Sequence, residues 1–356
     1  MSNIVVLGKG GIRVEVVLHS ITEGGDEIIT FLRDYPRIVH AEDLKHRMHS
    51  NSAASSRAIP AAKMAEQLTG MPVRFGEANP GMQDKGEDYD AYVGGPLKFD
   101  PYTGEDYETY YPPKDAWVMA KAAAVGWSNA FAAAGYHKQV YNRLTEPFQM
   151  IRVLTTMTET ANFYWLRDDV AADPTLAEVA RCMREAHALS KPRVLKPGQW
   201  HLPFVTSWFM DDNGEQVFFD EENPTVLKNG VDKVYPNLTL DEAIKMSCAR
   251  SAATSFRNEN YNLAKCLQVY DRLVNGDKVH AGALEHAAKV MQPAKIHMSI
   301  HGSINLPQWT STWEPGVSHM DREGRLWSGN FKGWIQHRKM VPGENYEGLD
   351  KAPQPA

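Results

Sequence analysis

The chain has 356 residues, 43% of them hydrophobic and 23% charged, a globular balance that excludes disordered and fibrous architectures and supports a sizeable core. Its 38 Lys and Arg against 44 Asp and Glu give a formal charge of -6, which excludes a protein that coats nucleic acid by neutralising phosphates. A nucleotide substrate stays open, because one phosphate needs only a few arginines gathered locally.

No run approaches the roughly 20 apolar residues that cross a bilayer, and the start MSNIVVLGKGG lacks a basic segment followed by a long apolar one. A cytoplasmic protein with no membrane contact is expected. Cys182, Cys248 and Cys266 form an odd set without CxxC spacing, in keeping with a reducing compartment.

Residues 4 to 19 alternate apolar and polar side chains around Gly10-Gly11, and the β-branched IRVEVVL follows where a phosphate-binding turn would open a helix. A β-hairpin is predicted there. EIITFLRDYP reads as a strand leading into a helix over AEDLKHRM, and a short helix is expected from Ala61 to Leu68. Residues 73 to 113 are rich in Gly, Pro, Asp and Tyr and read as a long surface excursion. Helices are predicted over Lys114 to Ala134, His137 to Gln149, Ile151 to Arg167 and, opened by Pro174, through Ala188. Residues 190 to 236 read as loops and strands, including EQVFFD, followed by helices near Leu240 to Arg250 and Asn260 to Val274. Beyond His301 the sequence is polar, Trp-rich and irregular, with a disordered KAPQPA tail expected. No repeat or linker interrupts it. One α+β unit is predicted, with a core over 1–300 and an irregular extension of the same domain over 301–356.

Four segments concentrate groups that can do chemistry. KHRMHSNSAASSR, Lys45 to Arg57, sets basic and imidazole side chains before a run of small residues whose N–H and hydroxyl groups can approach an anion. A solvated loop behind a helix C-terminus is the competing reading. In His137 to Arg167, a helix would group Asn142, Arg143 and Glu146 on one turn, as a polar site or as an Arg143–Glu146 ion pair. SCARSAA and HAGALEHAA carry Arg250, His280, Glu285 and His286 without HExxH spacing, so no metal site is predicted. The serines lack a GxSxG elbow, which argues against a serine nucleophile. WSGNFKGWIQHRK matches no RRM or KH pattern, and direct nucleic-acid binding is not expected.

Together these segments resemble the flavin-dependent thymidylate synthases, in the longer branch of that family. The family signature, Arg-His-Arg, two residues, Ser, one, Asn, two, Ser, one, Arg, stands here as Lys45-His46-Arg47, Ser50, Ser52, Ser55 and Arg57. NRLTEPF, TETANFYWLR, GQWHLPF, CARS, LEHAA and SGNFKGWIQHRK resemble further blocks, in the chain order of the longer branch.

The resemblance implies that family's fold, a mixed sheet packed on long central helices. It also implies conversion of dUMP to dTMP, with methylenetetrahydrofolate as carbon donor, NADPH as reductant and hydride delivered from reduced FAD. It assigns Arg167 and Arg143 to the catalytic site and Glu42, Ser55, Ser56, Arg57, Arg143 and Arg167 to the pyrimidine deoxynucleotide monophosphate. Lys45, His46, Arg47, Asn162 and Glu285 fall to the flavin. A homotetramer with shared sites is implied as well. Lys45, Ser52, Ala171, Ala252, Gly282 and Ala283 depart from the family pattern, mostly on the flavin side. Methylation or hydroxymethylation of dUMP or dCMP, and nucleotide binding without catalysis, remain alternative readings.

Overall fold

The computed structural model describes residues 4–54, 68–78, 80, 86–205, 207–220, 224–226, 233–254, 261–276, 279–293, 295–300 and 307–344. The expected hairpin forms at the start: β1 (Val5–Leu7) pairs antiparallel with β2 (Arg13–Thr22) across a turn in which Gly10 has φ +65°. β3 (Glu27–Pro36) follows, buried along nearly its whole length, as its run of β-branched and aromatic residues predicts. The expected helix over AEDLKHRM is a single turn, α1 (His40–Asp43), and β4 (Ser50–Ala53) comes next. The helix expected from Ala61 lies almost wholly outside the described residues.

The excursion over 73–113 carries two small exposed hairpins, Val93–Gly94 with Tyr110–Tyr111 and Lys98–Phe99 with Asp106–Tyr107. It ends at α2 (Pro113–Ala133), opened by proline as its missing N–H favours. α2 matches the helix expected over Lys114 to Ala134 to within a residue at each end. It buries none of its residues and leaves Val118, Met119 and Trp127 exposed, while Trp117 Nε1 and Lys121 Nζ tether it to the carbonyls of Gly70 and Leu68.

The predicted helix over His137 to Gln149 is instead one turn of α3 (Lys138–Tyr141) and a 3-10 segment, Asn142–Phe148, with Pro147 inside it. The predicted helix from Ile151 is two elements. β5 (Met150–Met157) forms first, where Val, Ile and two threonines restrict χ1 and favour the pleat, and α4 (Ala161–Arg167) follows. α5 (Pro174–Leu189) runs as predicted and is capped by Asp173, whose Oδ1 accepts from the N–H groups of Thr175 and Leu176.

β6 (Arg193–Leu195) then pairs parallel with β2, completing a mixed six-stranded sheet of order β1-β2-β3-β5-β4 with β6 beside β2. The short β7 (Trp200–His201) precedes the expected strand at Gln216–Phe219. α6 (Leu240–Ala253), with a Thr239–Glu242 capping box, and α7 (Leu263–Val274) pack on one another. β8 (Ala288–Val290) lies between β7 and β9 (Trp334–Gln336). The segment expected to be irregular therefore supplies five short strands among the described residues, and core residues in Phe331, Trp334 and Ile335. Trp334 is fully buried, and Gly333 at φ +74° lets the backbone pass where a Cβ would sit 2.6 Å from Asp26 Oδ2.

The molecule is α+β, with seven α-helices among the described residues and sheets that are antiparallel apart from β6. α5 covers one face of the main sheet through Val14, Phe31, Val153, Leu176, Val179 and Met183. A second core gathers α6 and α7 around Trp200, Phe218, Met246 and Leu284. A third, around Ile28, Val290 and Trp334, joins the β7-β8-β9 sheet to the other face of the main sheet. No helix of the described residues is long and apolar enough to cross a membrane.

Candidate functional site

β3 presents Ile29, Phe31, Arg33 and Tyr35 to the face covered by α5, so an arginine enters the core with its charge. Asp43 of α1 meets it. Arg33 Nη1 and Nη2 donate to Asp43 Oδ1 and Oδ2 at 2.9 and 2.8 Å, Tyr35 Oη donates to Oδ2 at 2.9 Å, and both partners of the ion pair are fully buried. Burial alone would raise the Asp43 carboxyl, but the Arg33 guanidinium overrides it and holds the group well below the usual carboxylate range. Asn51 Oδ1 accepts from Arg33 Nη2 and Thr155 Oγ1, fixing β4 to the same network. The segment from Glu42 to Ser50 is thus pinned at both ends, at Asp43 and at Asn51.

Between those anchors lie the first signature residues, Lys45 to Arg47 and Ser50. Lys45 and Arg47 are exposed, and Glu42 is half-buried. His46 turns back toward α4, where Arg167 Nε donates to its Nε2 at 2.8 Å across 121 positions of sequence. His46, His49 and Phe163 form a ring cluster, with His46 and His49 stacked at 5.6 Å and both rings edge-on to Phe163 at 4.8 and 4.5 Å. Burial, and then the Arg167 charge, lowers the His46 pKa, so its imidazole is neutral at neutral pH and accepts from Arg167. Arg167 Nη1 and Nη2 make no hydrogen bond to another described residue, and the neighbouring Asp168 is taken by Arg184 at 2.7 Å. Both terminal nitrogens of a half-buried guanidinium are thereby left without a partner among the described residues.

The remaining expected residues are distributed around this centre. Asn162 is exposed on the first turn of α4, the helix that ends in Arg167. Arg143 is exposed on the 3-10 segment, and the alternative Arg143–Glu146 pairing is absent: Glu146 Oε1 faces Arg37 Nη1 at 3.9 Å, while Arg37 Nη2 donates to the carbonyl of Ala54. That places the Arg143 segment beside the end of β4, where the chain leaves for Ser55, Ser56 and Arg57. Those three lie outside the described residues. Glu285 does not meet Lys45 or His46; its carboxylate is bound by Arg338. The next residue makes the connection instead. His286 hydrogen-bonds through Nε2 to Ser52 Oγ and through Nδ1 to Thr156 Oγ1, both at 2.9 Å.

Two groups of residues at the site escape a reading of the sequence. Asn330 donates from Nδ2 to the Arg47 carbonyl and accepts at Oδ1 from Ser50 Oγ and Gln336 Nε2, so the turn before β9 holds the signature segment from behind. A buried polar row also crosses the sheet. Ser20 and Thr30 share His201, Thr30 meets Thr156, and Thr156 and Ser52 share His286. The signal for both lay in the family-like blocks around Asn330, His201 and His286, but pairing over such separations has no local pattern. Arg250, another arginine singled out in sequence, is a tie in the second core. It donates to Asp220 Oδ1 at 2.8 Å and to the carbonyls of Phe204 and Tyr261.

The arrangement offers three cations, Lys45, Arg47 and Arg167, beside a neutral imidazole and exposed apolar surface at Leu44, Trp165 and Leu166, with Trp165 76% exposed. Cations next to flat apolar surface suit an anionic, aromatic ligand. Comparison with protein-family models finds no match for the chain, and comparison with curated proteins finds no significant relative.

Proposed function

We propose that the chain is a flavin-dependent thymidylate synthase that converts dUMP to dTMP with methylenetetrahydrofolate and NADPH, within the fold its signature implies. One observation carries this reading: Arg167 Nε bound to His46 Nε2, which joins two signature-like segments 121 residues apart and leaves the arginine's outer donors open. An arginine pinned by one nitrogen is preorganised to receive a ring carbonyl with the other two. As charge accumulates on a pyrimidine whose C5 becomes nucleophilic, such a guanidinium lowers the barrier without reorganising. Arg143, with Ser55, Ser56 and Arg57 beyond Ala54, would take the nucleotide phosphate, and Glu42 would approach the same nucleotide.

The residues assigned to FAD differ in what their side chains are free to do. Lys45, His46, Arg47 and Asn162 fit: two exposed cations suit a diphosphate, and a neutral imidazole and an exposed amide offer hydrogen bonds to a flat ring system. Glu285 does not fit as it stands, because Arg338 occupies its carboxylate. The chemistry needed beyond the protein's own groups is hydride transfer, which reduced FAD supplies when bound. The protein's part is to hold and orient the nucleotide, exclude water and present Arg167. A homotetramer belongs to the same reading, since Arg143 and the Lys45–Arg47 segment are both exposed and available to a second copy.

Titration calorimetry with dUMP tests the proposal. Wild-type protein binds the nucleotide, and Arg167→Ala weakens it about 10- to 100-fold, the worth of a hydrogen bond to a charged group, with thermal stability little changed. Wild-type protein that takes up no dUMP, or an Arg167→Ala variant that binds it as well as wild type, would overturn it.

A further inference from the structure

A second cluster of ligand-type side chains, unused by the nucleotide chemistry, converges at the β2–β3 end of the main sheet. His19 comes from β2, Glu27 from the first position of β3, and His187 from the last turn of α5. A β-bulge makes the meeting possible. Val14 and Val16 point toward α5, and the register shift between Val16 and Leu18 then pairs His19 with Ile29 and Ile21 with Glu27. His19 therefore shares the α5 face with Glu27; unbroken alternation from Val16 would point it to the opposite face.

The three groups are aimed at one point. His19 Nε2 lies 3.7 Å from Glu27 Oε1, and His187 Nε2 lies 3.5 Å from Glu27 Oε2. All three ligand atoms fall within 4.8 Å of one another. Each imidazole is also held from behind: His19 Nδ1 hydrogen-bonds to Ser190 Oγ at 3.1 Å and His187 Nδ1 to Tyr164 Oη at 3.3 Å. Such partners on the far nitrogen fix the tautomer and orientation of metal-binding histidines. His19 is only 5% exposed, yet its Nε2 has no hydrogen-bond partner. No lysine or arginine among the described residues pairs with Glu27, whose carboxylate faces the two imidazoles.

We propose that His19, Glu27 and His187 bind one divalent transition-metal ion of the zinc class, with a fourth position left for water. Two imidazoles and one carboxylate suit zinc and disfavour magnesium and calcium, which take oxygen ligands. Tetrahedral bonds of about 2.0–2.2 Å set ligand atoms about 3.3–3.6 Å apart, and the two histidine–carboxylate separations already approach that spacing. Glu27 and His187 sit at a partly exposed rim, with side-chain exposures of 38% and 16%, which gives the ion a path in and the side chains room to close on it. The bound ion would tie the end of α5 to the β2–β3 hairpin and, through Tyr164, abut α4.

The full-length protein, stripped with a chelator at neutral pH, is titrated with cobalt(II) chloride in an optical cell and with zinc chloride by calorimetry. One equivalent of cobalt should give the visible bands of tetrahedral Co(II), and zinc should erase them. Glu27→Gln and His187→Gln alter partly exposed side chains, keep the wild-type circular dichroism and lose the bands. Ser190→Ala keeps every ligand but removes the support behind His19, and weakens zinc about 10- to 100-fold. His319→Ala, an exposed histidine away from the cluster, changes nothing. Cobalt without tetrahedral bands, or binding that survives in both Glu27→Gln and His187→Gln, overturns the proposal. Neither outcome bears on dUMP binding.

Discussion

Acidification should unfold this protein through a small set of buried neutral histidines. His286 is fully buried between Thr156 and Ser52, and burial lowers its pKa to about 3. His49 is buried against Phe163, and burial, partly offset by Asp43, brings it to about 3 as well. Both lie far below the ordinary value of 6.5 that they regain on unfolding. The unfolded chain therefore binds the extra protons, so stability is fully present above about pH 6.5 and falls as the pH drops toward the folded values. Each histidine contributes a slope of about 1.4 kcal/mol per pH unit, so the two cost about 4 kcal/mol by pH 5 and about 7 kcal/mol by pH 4. His201, pushed down the same way by burial, steepens the slope. Asp43 does not offset it, because a depressed carboxylate loses its contribution only below the ordinary Asp range. Against a total of about 5–15 kcal/mol, the loss brings unfolding into the range of pH 4 to 5. Urea midpoints measured from pH 7 to pH 4 check this, and His286→Gln should flatten the slope by about 1.4 kcal/mol per pH unit whatever its own stability. A stability that stays level over that range, or a His286→Gln slope equal to wild type, would refute the reasoning.

Three other outcomes follow from the packing. Asp43→Ala strands Arg33 in the core and should cost about 3–5 kcal/mol, read from urea unfolding, whereas Arg33→Met with Asp43→Leu should recover most of that loss. Trp334→Ala opens a large cavity between the two sheets and should cost about 3–5 kcal/mol, seen as a lower midpoint in thermal unfolding. Ser52→Ala leaves His286 Nε2 without its partner and should cost about 1–3 kcal/mol in the same assay, with the circular dichroism unchanged.

Local pattern made much of the fold legible. The β1–β2 hairpin, β3, α5, α6 and α7 follow from alternation, proline placement and amphipathic spacing. It misled where two periods fit one run. MIRVLTTM is apolar enough to continue a helix, and only its threonines and β-branched residues mark it as a strand buried on both faces. AEDLKHRM has helix-forming residues, but Asp43 is drawn inward by Arg33, and the chain turns after four residues. An arginine at the inward position of β3 was the available clue that a buried acid must lie nearby. At the candidate site, the resemblance named Arg167 and His46, whose contact the structure contains. It did not foresee that Arg338 binds Glu285 or that Asn330 supports Arg47, because such pairings are set by tertiary packing.

The central claim meets its most direct test in turnover. Purified protein is incubated with FAD, NADPH, methylenetetrahydrofolate and dUMP, and the nucleotide is weighed by mass spectrometry. The account predicts dTMP, formed in step with NADPH oxidation and abolished by Arg167→Ala. Folded protein that returns dUMP unaltered, or that modifies dCMP while leaving dUMP untouched, would contradict it.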